Sequence, residues 1–165
     1  MPWTPKFEAV SEEAVVDNIL VLVERDFKLG LDYFYPTAGL QDFAERALGQ
    51  VLGNEAPMLG IAPVRNASIQ SDDASYLTEA LRVDLAVGVT DDGPQTVTRK
   101  IERYMRVLEA VLRAGNKNDF FGTISKTFGF SLDCEHVYRQ DIRTNQSIYF
   151  RDATLQLTVN IKEGQ

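Results

Sequence analysis

Apolar residues recur at Val97, Ile101, Tyr104, Met105, Leu108, Val111 and Leu112, in steps of 4, 3, 1, 3, 3 and 1. That spacing keeps one stripe at a period near 3.6 residues and predicts a long amphipathic helix over 94–115. Pro94 suits its first turn, where a missing N–H leaves nothing unpaired, and Gly115 suits the position just past its end, where a left-handed residue closes the helix. Arg99, Lys100, Glu102, Arg103, Arg106, Glu109 and Arg113 fall mainly off the stripe. Glu102 with Arg106 and Glu109 with Arg113 are i, i+4 pairs, worth about 0.2–0.5 kcal/mol each. The opposite face is therefore solvated or meets a partner.

A second helical pattern precedes it. Val16, Ile19, Leu20, Val23 and Phe27 follow a capping Ser11 and the acidic first turn Glu12 and Glu13, which predicts a helix to about Lys28. The next residues, LGLDYFYPTAG, read as a loop whose adjacent Tyr33, Phe34 and Tyr35 either cover the core or form a contact patch. Leu40, Phe43, Ala44, Ala47, Leu48, Val51 and Leu52 form a shorter helical stripe ended by Gly53.

Two-residue alternation marks the strands. Leu81, Val83, Leu85, Val87 and Val89 alternate with Ala80, Arg82, Asp84, Ala86 and Gly88, a half-buried strand over 79–90. Leu155, Leu157, Val159 and Ile161 alternate as cleanly, which places the closing strand near the centre of a sheet. Residues 132–142 and 148–162 read as arms of a hairpin turning at RTNQS, 143–147. Residues 57–64 are apolar but contain Pro63, which cannot donate to a ladder and points to an edge strand. Two polar, aperiodic stretches, 65–78 and 116–131, read as long loops of the kind that carries partner contacts. Asn66, Ser68, Ser71, Asp72 and Asp73 in the first, with Asn116, Asn118, Phe120 and Phe121 in the second, are the candidate contact residues; the phenylalanines also suit a small satellite core with Phe128 and Phe130.

Charge adds a second kind of pattern. Of 165 residues, 24 are acidic and 17 basic, a net charge of −7. Residues 1–93 hold 16 acids and 6 bases, whereas 94–151 hold 10 bases and 6 acids. An acidic total argues against a nucleic-acid binder that works by neutralising phosphates. The split is either two solvated faces or a head-to-tail contact between copies, acidic on one side and basic on the other, which can close into a ring. In the second case Arg99, Arg103, Arg106 and Arg113 are the candidate subunit-interface residues.

Chemistry is sparse. Asp133, Cys134, Glu135 and His136 are the only cluster of metal-type residues, but on a strand Cys134 and His136 share one face and the two acids the other. Two convergent ligands fall short of a zinc site, and a Cys and His pair without a third orienting group is poorly equipped for nucleophilic catalysis. Phosphate-loop, dinucleotide, nucleophile-elbow and zinc-protease motifs are absent from the sequence. The lone Cys134 has no intrachain disulfide partner, and the N-terminal residues have neither the basic start nor the apolar run of a signal peptide, so the chain is expected to be cytosolic. No apolar run approaches membrane-spanning length.

The expected fold is α+β, a largely antiparallel sheet packed on one face by helices, with one long central helix and a single domain over 1–165. In this order of helical start, strand pair, long helix and closing strand ATLQLTVNIK, the chain resembles the tail-terminator (tail-completion) proteins of long-tailed bacteriophages. That family has no short diagnostic motif, and its functional residues do not transfer one by one. The resemblance implies a structural virion protein, not an enzyme and without cofactors. It implies a homo-oligomeric ring, usually a hexamer, assembled in the host cytoplasm, which caps the tail tube and joins tail to head. Its partners would be the tail tube protein and the head-tail connector proteins, with DNA passing through the channel without specific binding. A neighbouring neck or stopper protein, a small cytosolic enzyme using carboxylates and a monomeric ligand-binding domain are the alternatives.

Overall fold

The structure is a computed structural model and describes residues 2–3, 12–40, 44–45, 58–70, 76–121, 127–139, 142–145 and 147–164. In chain order the elements are α1 (Glu12–Phe34), β1 (Ala44–Glu45), β2 (Met58–Gln70), β3 (Tyr76–Asp91), α2 (Pro94–Ala114), α3 (Lys117–Phe121), β4 (Thr127–Tyr138), β5 (Arg143–Asn145) and β6 (Ile148–Gly164). The strands form one sheet in the order β1-β2-β3-β6-β4, with β5 beside the start of β6. Every pairing is antiparallel except the short one between β1 and β2. This is the expected α+β class.

The central pair is β3 and β6, joined along nearly their whole length from Tyr76↔Gly164 to Asp91↔Tyr149. Their alternation decides which face meets the helices. Leu81, Val83, Leu85, Val87 and Val89 are buried, as are Leu155, Leu157, Val159 and Ile161. All seven apolar positions of α2 foreseen above are buried too, and α2 lies across β3 and β6. α1 packs on α2 and α3, placing Val15, Val16, Ile19, Leu22, Val23, Phe27 and Leu31 in the same core. The buried Tyr104 hydroxyl donates to the Leu40 carbonyl at 2.6 Å, satisfying a polar group that would otherwise be stranded in that core.

Six expectations are corrected, the first being that the stretch read as a loop over 116–131 holds α3 at Lys117–Phe121 and the start of β4 at Thr127. α1 does not stop near Lys28 but continues to Phe34, through a glycine. A Cβ on Gly30 would sit 2.8 Å from Val107 Cγ1 and 3.2 Å from Val111 Cγ2, so the glycine permits close helix approach rather than ending the helix. Within the stripe read as a helix over 40–52, Ala44–Glu45 is instead a strand beside Met58 and Leu59; the remainder from 41 lies outside the described residues. The stretch read as a loop over 65–78 is strand at 65–70, in β2, and at 76–78, in β3, because main-chain pairing of the two strands, and of β3 with β6, holds it where its side chains give no apolar alternation. Gly115 is extended rather than left-handed, at φ −61° and ψ 146°. It is needed because a Cβ there would meet Leu22 and Phe120 within 2.9 Å. Finally, the turn read at 143–147 is tighter, since Arg143–Asn145 pair back onto Ile148–Phe150, with Ser147 at φ 71°.

Pro63 does fall on an edge. Among the described residues β1 flanks β2 at Met58 and Leu59 alone, and the register slips between Pro63, which lies opposite Val83, and Arg65. The other edge is β4.

Candidate interaction surface

The off-stripe arginines of α2 divide into two settings. Arg99, Arg103 and Arg106 follow one another at helical spacing near the exit of α1. Arg103 stands over the Tyr35 ring at 5.2 Å and Arg106 over Phe34 at 5.6 Å, each cation held against the negative face of an aromatic ring. Arg99 is exposed and, with Asp91, Lys100 and Arg103, lines a hollow of about 240 Å³ beside Ala38 and Leu40. Lys100 is turned inward there, donating to the Thr90 carbonyl at 3.2 Å and lying 3.7 Å from Asp91. Arg113 is separate, because its Nε donates to Glu109 Oε1 at 2.6 Å. The structure therefore brings three of the four proposed interface arginines into one arginine and aromatic patch and commits the fourth to its own helix.

Glu109 is shared between that helix and the edge strand. Its second oxygen lies 2.7 Å from His136 Nε2, while His136 Nδ1 is 3.3 Å from the Tyr138 hydroxyl. Partial burial would raise the Glu109 carboxyl, but the bonds and charges of Arg113 and His136 outweigh it and hold the group below the ordinary glutamate value. Cys134 shares the helix-facing side of β4 with His136, as the alternation implies, and burial pushes its thiol up, away from a reactive thiolate. Among the described residues no three His, Cys, Asp or Glu side chains are grouped to hold a metal ion. The cluster acts as a clasp between α2 and β4.

The proposed contact loops land unevenly. Asn66 and Ser68 belong to β2, opposite Leu81 and Glu79 of β3. Ser71, Asp72 and Asp73 lie outside the described residues. Asn116 caps α3: its Oδ1 accepts from the N–H groups of Asn118 and Asp119, and its own N–H donates to Asp119 Oδ2 at 2.9 Å. Asn118 is exposed. Phe120 and Phe121 are buried in the main core, where they pack with Phe130 at ring separations of 5.2 and 5.3 Å, rather than in a separate satellite core; the Phe128 side chain lies outside the described residues. They anchor the segment rather than face outward.

One surface was foreseen only in its aromatics, Tyr33 and Phe34, as a contact patch. The C-terminal halves of α1 and α2 leave an apolar cleft of about 390 Å³ between Leu29, Tyr33, Phe34, Ala110, Val111 and Ala114. Leu29 and Tyr33 stand 64% and 80% exposed on its lip. The sequence signal was Leu29 and Tyr33 at i, i+4, readable only once α1 is carried through Gly30.

No helix among the described residues is long and apolar enough to cross a membrane. No protein-family model and no curated protein matches the chain. Among solved structures, a chain titled as part of the virion of a native gene transfer agent particle matches 93% of this chain, over 95% of its own length. The two are 13% identical at a TM-score of 0.44, too distant a likeness to carry an argument about function.

Proposed function

We propose that this chain is a structural protein of a tailed virion, a single unit over 1–165. Its copies form a ring, hexameric by the family resemblance, that caps the tail tube and joins it to the head around a channel for DNA. The observation that carries this reading is the pairing of two charged stripes on one small body. Arg99, Arg103 and Arg106 lie on α2, and the exposed carboxylates Glu13, Asp17 and Glu24 lie on the outer side of α1. Opposite charges on different helices suit a contact in which one surface of a copy meets a different surface of the next, the kind that closes into rings. The order of helix, strand pair, long helix and closing strand, on which the sequence resemblance rests, supports it further. Within this reading the exposed Asn118 and the segment around residues 71–75 are proposed contacts to the tail tube or connector proteins, and the role is non-enzymatic.

Exposed ion pairs contribute only about 0–1 kcal/mol each, so several must act together beside apolar contacts. Arg103→Glu with Arg106→Glu is expected to abolish assembly, read by light scattering and electron microscopy with and without tail tubes, while circular dichroism shows an unchanged fold. Reversal of Glu13 and Asp17 to Lys in the same chain is expected to restore it in part. Raising salt from 0.1 to 1 M, which shortens screening from about 10 to about 3 Å, is expected to loosen the ring without dissolving it. A double variant that assembles like the parent at both salt levels defeats the reading. Binding to a connector alone, with no affinity for tail tubes, would favour a stopper role over a terminator.

A further inference from the structure

The apolar cleft between α1 and α2 lacks an occupant from its own helices, and the most exposed large apolar side chain among the described residues is a candidate of matching character. Trp3 is the only tryptophan and stands 86% exposed. An indole has about 150–250 Å² to bury, and a tryptophan left in water is unusual unless something else covers it. The cleft has the volume of a small-molecule pocket, about 390 Å³, and a lining that is apolar apart from Asp26, whose carboxylate is paired with Arg25, with the small Gly30, Ala110 and Ala114 leaving the space open.

A copy's own arm is poorly placed to fill it. From Glu12, where α1 begins, to the Leu29–Tyr33 lip is about 25–32 Å along the helix at 1.5 Å per residue. The nine-residue step from Glu12 back to Trp3 spans at most about 30–32 Å when fully extended, so it would have to run taut along the whole helix. The observed exposure of Trp3 is that of a side chain outside the cleft.

We propose that the cleft receives Trp3 of a second copy, so that each subunit pins the next by an exchanged N-terminal arm. This rests on the self-association reading above and names its apolar contact. Charge agrees with the direction. The arm carries Glu8 against a single Lys6 and leads into Glu12 and Glu13 at the start of α1, and the cleft opens beside Phe34 onto Arg106 and then Arg103. Complementary potential of this kind sets the orientation of a contact.

The single tryptophan is its own reporter. In the full-length protein, emission of Trp3 is expected to move to shorter wavelength and to lose acrylamide quenching over the concentration range in which light scattering shows association. Trp3→Ala is expected to weaken association by roughly 30-fold or more, as a central aromatic anchor does. Leu29→Glu with Tyr33→Glu should do the same from the other side, with Ala110→Met, which fills the cleft conservatively, as the check against misfolding. Mixing the Trp3→Ala chain with the cleft-blocked chain is the decisive arm: each is dispersed alone, and together they should pair and shift the emission. Association with Trp3 still exposed, an equal shift in the cleft-blocked variant, or no association at any concentration overturns the proposal. Tail capping with an exposed Trp3 would sink this contact and leave the ring; a buried Trp3 in assemblies with no affinity for tail tubes would do the reverse.

Discussion

Gly30→Ala tests the helix packing, because two effects of known sign oppose each other there. In an exposed helix interior, replacing glycine by alanine stabilises by about 0.8–1.0 kcal/mol. At Gly30 the added methyl would lie 2.8 Å from Val107 Cγ1 and 3.2 Å from Val111 Cγ2, inside van der Waals contact with two buried side chains. Both are β-branched and held to essentially one rotamer on a helix, so neither methyl can swing aside and the helices must separate. Overpacking of that kind costs about 1–3 kcal/mol, which exceeds the propensity gain. The net expectation is a loss of about 1 kcal/mol, or about 2–4 °C in Tm for a chain of this size. Urea denaturation of four proteins settles it: parent, Gly30→Ala, Val107→Ala and the double variant. With Val107 shortened, the alanine should recover its helix advantage, a coupling of about 2 kcal/mol. A Gly30→Ala variant that is stabilised, or that behaves identically in both backgrounds, would show that α1 and α2 do not approach as described.

Three further outcomes are expected. The folded Glu109 carboxyl titrates below the ordinary value near 4.5, so its contribution is complete above that pH and fades as pH falls through the folded value. The stability difference between parent and Glu109→Gln, followed by thermal melts from neutral to acid, should therefore shrink below about pH 4.5, and a constant difference would refute the clasp. Tyr104→Phe leaves the Leu40 carbonyl without its 2.6 Å donor in the core, which should lower stability by about 1–2 kcal/mol in denaturant titrations without changing the m-value. Cys134→Ser with His136→Gln should lower Tm by a few degrees, about 1 kcal/mol, yet leave self-association as it was, since neither residue lies on the proposed contact surface.

The central helix and the two inner strands were legible because burial there is one-sided and the alternation of Leu81 to Val89 and Leu155 to Ile161 records it directly. The end of α1 was not, because Gly30 carries a loop's local signal and its reason lies in Val107, on a helix distant in sequence. Arg65 to Gln70 read as loop because β2 lies at an edge, where pairing with Thr78 to Arg82 is a main-chain property that side chains barely report. At the candidate surface, the arginines were visible as positions off the stripe. Their arrangement was not, since Arg106 over Phe34 and Arg113 on Glu109 depend on rotamers and on a neighbouring helix. The cleft was the least visible, being a space defined by two helices rather than by any residue.

The position of β6 has a consequence during translation. It is made after every other described element, yet it lies between β3 and β4 and pairs with both. Until Ile148 to Gly164 leave the ribosome, β3 has one partner rather than two, and α1 and α2 have only half of the platform that covers their apolar faces. The nascent chain must hold Leu81, Val83, Leu85 and the α2 stripe without their final neighbours, a state prone to wrong pairing with other strands. Val83 meets Leu157 only after most of the chain has been synthesised, so the sheet's centre closes last and in a single step of high contact order. Chains truncated before β6 are therefore expected not to fold, since β4 and one side of β3 would lack their partner.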